Sequence, residues 1–402
     1  MKSLLKIFFA ILISTFSVIA QEADSVLAEN VIIQTKEKFA PDKRTAIFDI
    51  DIKKNGDEFI MYGETNIAEA KEELISELHA KNFNVQDSVN LLPDEALGDE
   101  IYGIVNLSVA NIRSMPSHPA ELATQSLMGT PLKVFQKRSG WFLVQTPDNY
   151  IAWVDNAGIE LVNKTGLEDW IKSKKSIIIV DYSFAYSSPS ADSVRVSDLV
   201  AGDILKNLGE EGGFCKVEFP DGRIGYVKKD ECNILDEWIS NLNPDENAIV
   251  NTAKRYLGLP YLWGGTSTKG YDCSGFTKTV YFLNGIILQR DASQQTLYGE
   301  LVDTKNGFEN LRPGDLLFFG RKAGENQKER VTHVGIYIGD LEFIHSAGIV
   351  GINSFDKSKP NFSEYRFNSF IRARRILNSV NEEGITSITK NKFYNGDLDE
   401  SE

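Results

Sequence analysis

Shifted by 73 positions, the 402-residue chain matches itself without a gap across residues 129–154. Gly129 falls on Gly202, Leu132 on Leu205 and Lys133 on Lys206. Gly140-Trp141 falls on Gly213-Phe214, Val144 on Val217, and Pro147-Asp148 on Pro220-Asp221. Ile151-Ala152-Trp153-Val154 falls on Ile224-Gly225-Tyr226-Val227. A repeat of this kind means that one unit is built twice. Two copies are too few for a solenoid, so the expectation is a tandem pair. Within each copy, short alternating apolar runs are separated by glycine and Pro-Asp turns, the pattern of a small all-β barrel. The copies are placed at 101–165 and 172–236.

The chain is long enough for about two to four domains. At the N-terminus, Lys2 and Lys6 flank an apolar run from Ile7 to Ile13 that ends in small residues near Ala20. This reads as a secretory signal peptide, 1–20; Ser14, Thr15 and Ser17 interrupt the run, and it is too short for a membrane span. Its removal takes two lysines and no acids, so the net charge moves from -14 to -16. Such a surface repels phosphate backbones, and no nucleic-acid partner is expected. The mature chain is expected outside the inner membrane, periplasmic or extracellular, as a monomer. Residues 21–43 read as a polar lead-in. Within 21–100, two runs around Asn55-Gly56 predict a hairpin, a helical spacing follows over Ile67–Leu78, and Phe83–Val89 reads as a strand: a small α+β unit. Residues 377–402 are polar and acidic, and a flexible tail is expected.

Residues 241–376 form a third kind of region. Helices are predicted over Glu246–Tyr256 and from Cys273 toward Phe282, with strands at Leu316–Phe319, Val334–Ile338 and Glu342–His345, giving α+β. The segment Asp272-Cys273-Ser274-Gly275-Phe276 follows a loop containing Gly264, Gly265 and Gly270. A thiol in a first helical turn meets free N–H groups and the positive end of the dipole, and both favour a thiolate. The same N–H groups can hold an oxyanion. The chain has four histidines. His333 and His345 fall on two runs that an antiparallel turn at Gly339-Asp340 would bring together, one as base and one as its orienting partner. His79 is expected in solvent and His118 in a loop. The other two cysteines, Cys215 and Cys232, can pair; equally, Cys215 falls opposite Phe142, an apolar slot that suits a buried free thiol. No Cys/His spacing matches a zinc set, and no metal or organic cofactor is expected.

The region resembles the NlpC-type cysteine peptidases, a papain-like family that cleaves bacterial cell-wall peptides. The resemblance rests on Leu259-Pro260-Tyr261-Leu262-Trp263-Gly264-Gly265, the Cys273 segment, Arg290-Asp291-Ala292, Arg312-Pro313-Gly314-Asp315-Leu316, the His333 strand and His345. It implies Cys273 as nucleophile, His333 as base and His345 as third polar residue. The two repeated units resemble bacterial SH3-like domains. Together they look like a narrower branch, which cleaves γ-D-glutamyl-L-diamino acid bonds and uses its first SH3-like domain in the substrate site. Carried over to Ser117-His118-Pro119-Ala120-Glu121-Leu122, this implies that Glu121 binds the free amine of an N-terminal L-alanine. Tyr150 would assist, and Tyr261, Trp263, Asp272, Ser274 and Asp291 would line the pocket. The implied partner is a peptidoglycan stem peptide. Two rivals stay open: a broader endopeptidase on intact peptidoglycan, and a non-catalytic wall-binding protein with a degenerate peptidase domain.

Overall fold

A computed structural model describes residues 24–56, 58–325 and 327–398. The signal peptide expected at 1–20 lies outside them. No described helix is long and apolar enough to cross a membrane.

The chain divides into two compact units, 1–98 and 99–402. In the first, residues 24–39 are helical, an ordered lead-in. Ala28, Val31 and Ile32 of that helix are buried with Phe48, Ile50, Met61, Leu74 and Leu78. Strands Phe48–Asn55 and Glu58–Thr65 pair antiparallel, helix Ala68–Ala80 follows, and Val85–Leu91 returns parallel to Glu58–Thr65. Gly56 has φ +65°, the left-handed conformation that an Asn-Gly turn needs.

The second unit holds the repeat. The first seven-stranded antiparallel sheet runs, in spatial order, Ile159–Val162, Tyr102–Val105, Pro131–Arg138, Trp141–Gln145, Ile151–Asp155, Val109–Arg113 and Leu122–Leu127. The second runs Cys232–Ile234, Lys175–Ile178, Ile204–Glu211, Phe214–Glu218, Ile224–Lys228, Tyr182–Tyr186 and Arg195–Val200. The order is the same, and every strand begins 73 residues after its counterpart. Even the irregularity at Val134/Gln136 recurs at Asn207/Gly209. The repeat therefore extends well beyond the stretch where sequence identity is visible. Segments 114–121 and 187–194 keep their length and share Ser114/Ser187, Pro116/Pro189 and Ser117/Ser190, then diverge over 118–121 and 191–194; each closes with the same backbone bond, Ser114 N–H to Glu121 C=O and Ser187 N–H to Val194 C=O.

The remaining region opens with helix Glu246–Arg255. Helix Cys273–Phe282 then packs on a six-stranded antiparallel sheet of order Glu300–Val302, Phe370–Arg375, Leu316–Arg321, Arg330–Gly339, Glu342–Ala347 and Ile349–Ser354. Phe276, Val280, Leu316, Phe318, Val334 and Ile344 form the core between helix and sheet. The expected flexible tail is a correction. Ile385–Ser387 pairs with Ile286–Leu288, and helix Lys392–Asn395 buries Phe393 against Tyr102 and Leu167. The apolar residues of this segment are too sparse to show a period, yet each one is seated.

Candidate active site

The nucleophile candidate sits where the sequence puts it. Cys273 is the first residue of its helix, and Asp272 is the N-cap, accepting from Gly275 N–H at 2.6 Å. Two glycines make this junction possible. A Cβ at Gly275 would lie 2.0 Å from the Gly265 carbonyl oxygen, and one at Gly264 (φ +78°) would lie 2.3 Å from that of Leu122. Asp272 also accepts from Gly264 N–H at 3.0 Å and from both ends of the Arg290 guanidinium, at 2.6 and 3.2 Å. Arg290 is fully buried, and its remaining donors reach Ser274 Oγ at 3.0 Å and Thr124 Oγ1 at 2.9 Å. Although it lies in a quoted motif, Arg290 was not among the expected site residues. Nothing local signals that its charge would point inward.

The two histidines meet as the strand pairing requires. His333 Nε2 and His345 Nδ1 are 2.7 Å apart, and the rings are perpendicular. Beyond them, His345 Nε2 contacts Asn353 Oδ1 at 2.8 Å. Asn353 was not anticipated. It reaches the site because Ile349–Ser354 pairs beside Glu342–Ala347, a non-local consequence of the sheet. The His333 strand packs on the cysteine helix, and Val334 shares a buried core with Cys273.

The electrostatics differ from expectation. Burial and the nearby Asp272 charge push the Cys273 thiol up to about 11, outweighing the Val334 N–H and the Arg290 charge. The helix start alone suggested the opposite; it loses because the sulfur is nearly enclosed and a carboxylate stands beside it. Burial holds His333 well below the ordinary imidazole value, helped by the Arg366 charge and by His345. Burial likewise brings His345 down to about 4, against the Asn353 hydrogen bond. The resting pair is thus neutral thiol and neutral imidazole.

The other expected residues fall around this centre. Tyr261 is raised to about 12 by burial and by the charges of Cys273 and Asp272, so it lies within electrostatic range of both. Ser274 is buried in the Asp272–Arg290 network. Asp291 caps the short helix Ala292–Gln295, its main chain bound by Gln294, and its carboxylate is 4.0 Å from Arg290. Tyr150 is buried within electrostatic range of Arg290. Trp263, 62 % exposed, donates its indole N–H to Glu121 Oε1 at 2.8 Å. Glu121 is exposed. It is nonetheless joined to the cysteine-bearing region, as are its neighbours: Gln125 bonds Thr266 at 3.0 Å, and Asp148 pairs with Lys278 at 2.6 Å.

His79 and His118 are both exposed, and His118 rests against Trp141. Cys215 and Cys232 are buried free thiols with their sulfurs 2.9 Å apart in the second repeated unit.

Comparison with known proteins accords with this geometry. Residues 258–372 match the model described as NlpC/P60 family, and residues 112–159 match the bacterial dipeptidyl-peptidase Sh3 domain. A gamma-D-glutamyl-L-lysine dipeptidyl-peptidase of Bacillus cereus is 33% identical over 238 residues, covering 56% of this chain and 67% of the relative. Dipeptidyl-peptidase 6 of Lysinibacillus sphaericus is 28% identical over 273 residues, 65% of this chain and 94% of that protein. The crystal structure of an NlpC/P60 family protein from Bacillus cereus superimposes with a TM-score of 0.57 at 25% identity, covering 68% of this chain and 99% of that one.

Proposed function

From the premise that this chain belongs to the NlpC/P60 family, we propose that it is a cysteine-type dipeptidyl-peptidase of cell-wall peptides, acting outside the inner membrane. Its substrate is a stem-peptide fragment, L-Ala-γ-D-Glu followed by a diamino acid, with a free N-terminal amine. Both repeated units are read as SH3-like barrels, the second by its identical strand order, and the cysteine-bearing domain as papain-like. The N-terminal signal peptide belongs to the same reading, as does a monomeric state.

The chemistry follows from the neutral resting pair. As substrate seats, the Cys273 proton passes to His333, and the sulfur attacks the γ-carbonyl carbon of D-glutamate. Backbone N–H groups at the helix start stabilise the oxyanion. When the intermediate collapses, the amide C–N bond breaks and His333 returns the proton to the leaving amine. Water, deprotonated by His333, then cleaves the thioester and releases L-Ala-γ-D-Glu. His345 and Asn353 hold the His333 ring and spread the charge it gains. Tyr261, Ser274, Asp291 and Tyr150 line the acyl side, and Asp272 with Arg290 keeps that wall rigid.

The observation that carries the dipeptidyl assignment is the bond between Glu121 and Trp263. It sets a carboxylate from the first repeated unit beside the cysteine loop, where an ammonium two residues upstream of the scissile bond can reach it. Mass spectrometry of products from L-Ala-γ-D-Glu-L-Lys tests the reading. L-Ala-γ-D-Glu and free lysine are expected from the free peptide, with little turnover of its N-acetyl form. Equal turnover of both overturns the free-amine requirement and favours the broader endopeptidase.

A further inference from the structure

A cation stands near the reaction centre, and among the described residues no acid neutralises it. Arg366 lies on helix Glu364–Ser369, half-buried. Its guanidinium is 5.6 Å from the centre of the Phe319 ring and 5.2 Å from that of Tyr365. Phe319 in turn packs against His333 at 5.8 Å and belongs to the aromatic cluster of Phe343, Phe355 and Phe370 that also touches the His345 ring. Among the described residues, the guanidinium has no carboxylate or hydrogen-bond partner. The neighbouring arginines differ: Arg375 pairs with Asp315, Arg372 with Glu329, and Arg374 is bonded to the Thr296 and Gly299 carbonyls. A half-buried guanidinium without an anion is an incomplete site. Stacking on Phe319 fixes its position but leaves its five donors unused.

We propose that Arg366 binds a carboxylate of the substrate on the leaving-group side, so that the enzyme selects fragments whose diamino acid has a free α-carboxylate. This rests on the peptidase reading above. The direction comes from the histidine. His333 must face the leaving nitrogen to protonate it, and Arg366 is linked to the same ring through Phe319. In the substrate, the carboxyl carbon of the diamino acid is two bonds from that nitrogen. Glu121, Trp263 and Tyr150 serve the opposite, N-terminal end. The Arg366 charge reaches His333, His345 and Cys273. Binding an anion there removes a field that opposes the imidazolium, so the contact also favours proton transfer from the thiol once substrate is seated.

The test compares three peptides in wild type, Arg366→Gln and Arg366→Lys: L-Ala-γ-D-Glu-L-Lys, its C-terminal amide, and the form amidated on the D-Glu α-carboxylate. For wild type, kcat/KM should fall about ten- to a hundredfold on C-terminal amidation, the range of one charge-assisted contact. Arg366→Gln should lose a similar factor on the free acid and under about threefold on the C-terminal amide, while Arg366→Lys recovers part of the loss. Equal kcat/KM of wild type on the acid and its C-terminal amide overturns the proposal. So does an equal loss by Arg366→Gln on both, which marks a merely structural role. If Arg366→Gln instead erases discrimination at the D-Glu carboxylate, the leaving-side assignment is overturned. Failure of wild type to cleave any of the three overturns the peptidase reading itself, an outcome distinct from the others.

Discussion

Replacing Arg290 by Met tests how the cysteine wall is held. The side chain is 1% exposed and spans Asp272 with two hydrogen bonds, Ser274 with one and Thr124 with one. Methionine fills much of the volume but leaves Asp272 buried without its cation. Removing one partner of a buried pair costs about 3–5 kcal/mol, because the remaining charge is stranded. For a unit of this size, that corresponds to a fall in Tm of about 6–20 °C. The loss reaches the chemistry because the same carboxylate caps the Cys273 helix through Gly275 and holds the Gly264 turn. Arg290→Lys keeps the charge but cannot span three partners, so an intermediate loss is expected. Calorimetry gives the Tm, and the iodoacetamide alkylation rate of Cys273 reports the geometry of the thiol. A Tm within about 2 °C of wild type, with an unchanged alkylation rate, would mean that Arg290 does not hold the cysteine wall.

Cys273→Ala should abolish hydrolysis with the fold intact by circular dichroism; activity within about tenfold of wild type, about 1.4 kcal/mol in barrier, contradicts the nucleophile assignment. Asn353→Ala frees His345 Nε2 and should lower kcat about ten- to a hundredfold with KM nearly unchanged, whereas a change confined to KM would place the His345–Asn353 pair in the binding pocket. The rate profile should be bell-shaped, with an acid limb below the usual histidine range, where His333 protonates, and an alkaline limb toward pH 11, where the thiol ionises. Stability carries a separate signature. His345 titrates near 4 when folded against about 6.5 unfolded, so the unfolded chain binds the extra proton and stability falls as pH drops through that window, by about 3 kcal/mol. Urea unfolding at pH 7 and pH 4 should show the loss, and His345→Asn should flatten it.

How far the sequence disclosed this molecule depends on how local each signal is. The repeat was visible wherever turn glycines and core aromatics had to recur. It faded over 118–121 and 191–194, where largely exposed side chains are free to differ and the chain length is kept. The Cys273 helix was legible to the residue, since its cap, its glycine loop and its apolar period are contiguous. Asn353 and Arg366 were not legible, because each reaches the site only through sheet pairing or ring packing. The thiol was misread for a similar reason: the helix dipole is local, whereas the burial of Cys273 in one core with Val334 and Ile344 is tertiary. The C-terminal segment was misjudged because Ile385, Ile388 and Phe393 bind into grooves made by distant residues, so their spacing follows no period.

The central claim is that a carboxylate from the first repeated unit measures the free amine of the substrate. Glu121 is exposed before substrate arrives, and an exposed ion pair contributes only about 0–1 kcal/mol. Discrimination therefore requires the bound peptide to cover the Glu121–Trp263 pair. The decisive measurement is kcat/KM for L-Ala-γ-D-Glu-L-Lys and its N-acetyl form in wild type, Glu121→Gln and Glu121→Ala. The account predicts a preference of wild type for the free amine of about tenfold or more, most of it lost in Glu121→Gln, where shape is kept and charge removed. Wild type that cleaves both peptides alike, or a Glu121→Gln variant that retains the full preference, would contradict it.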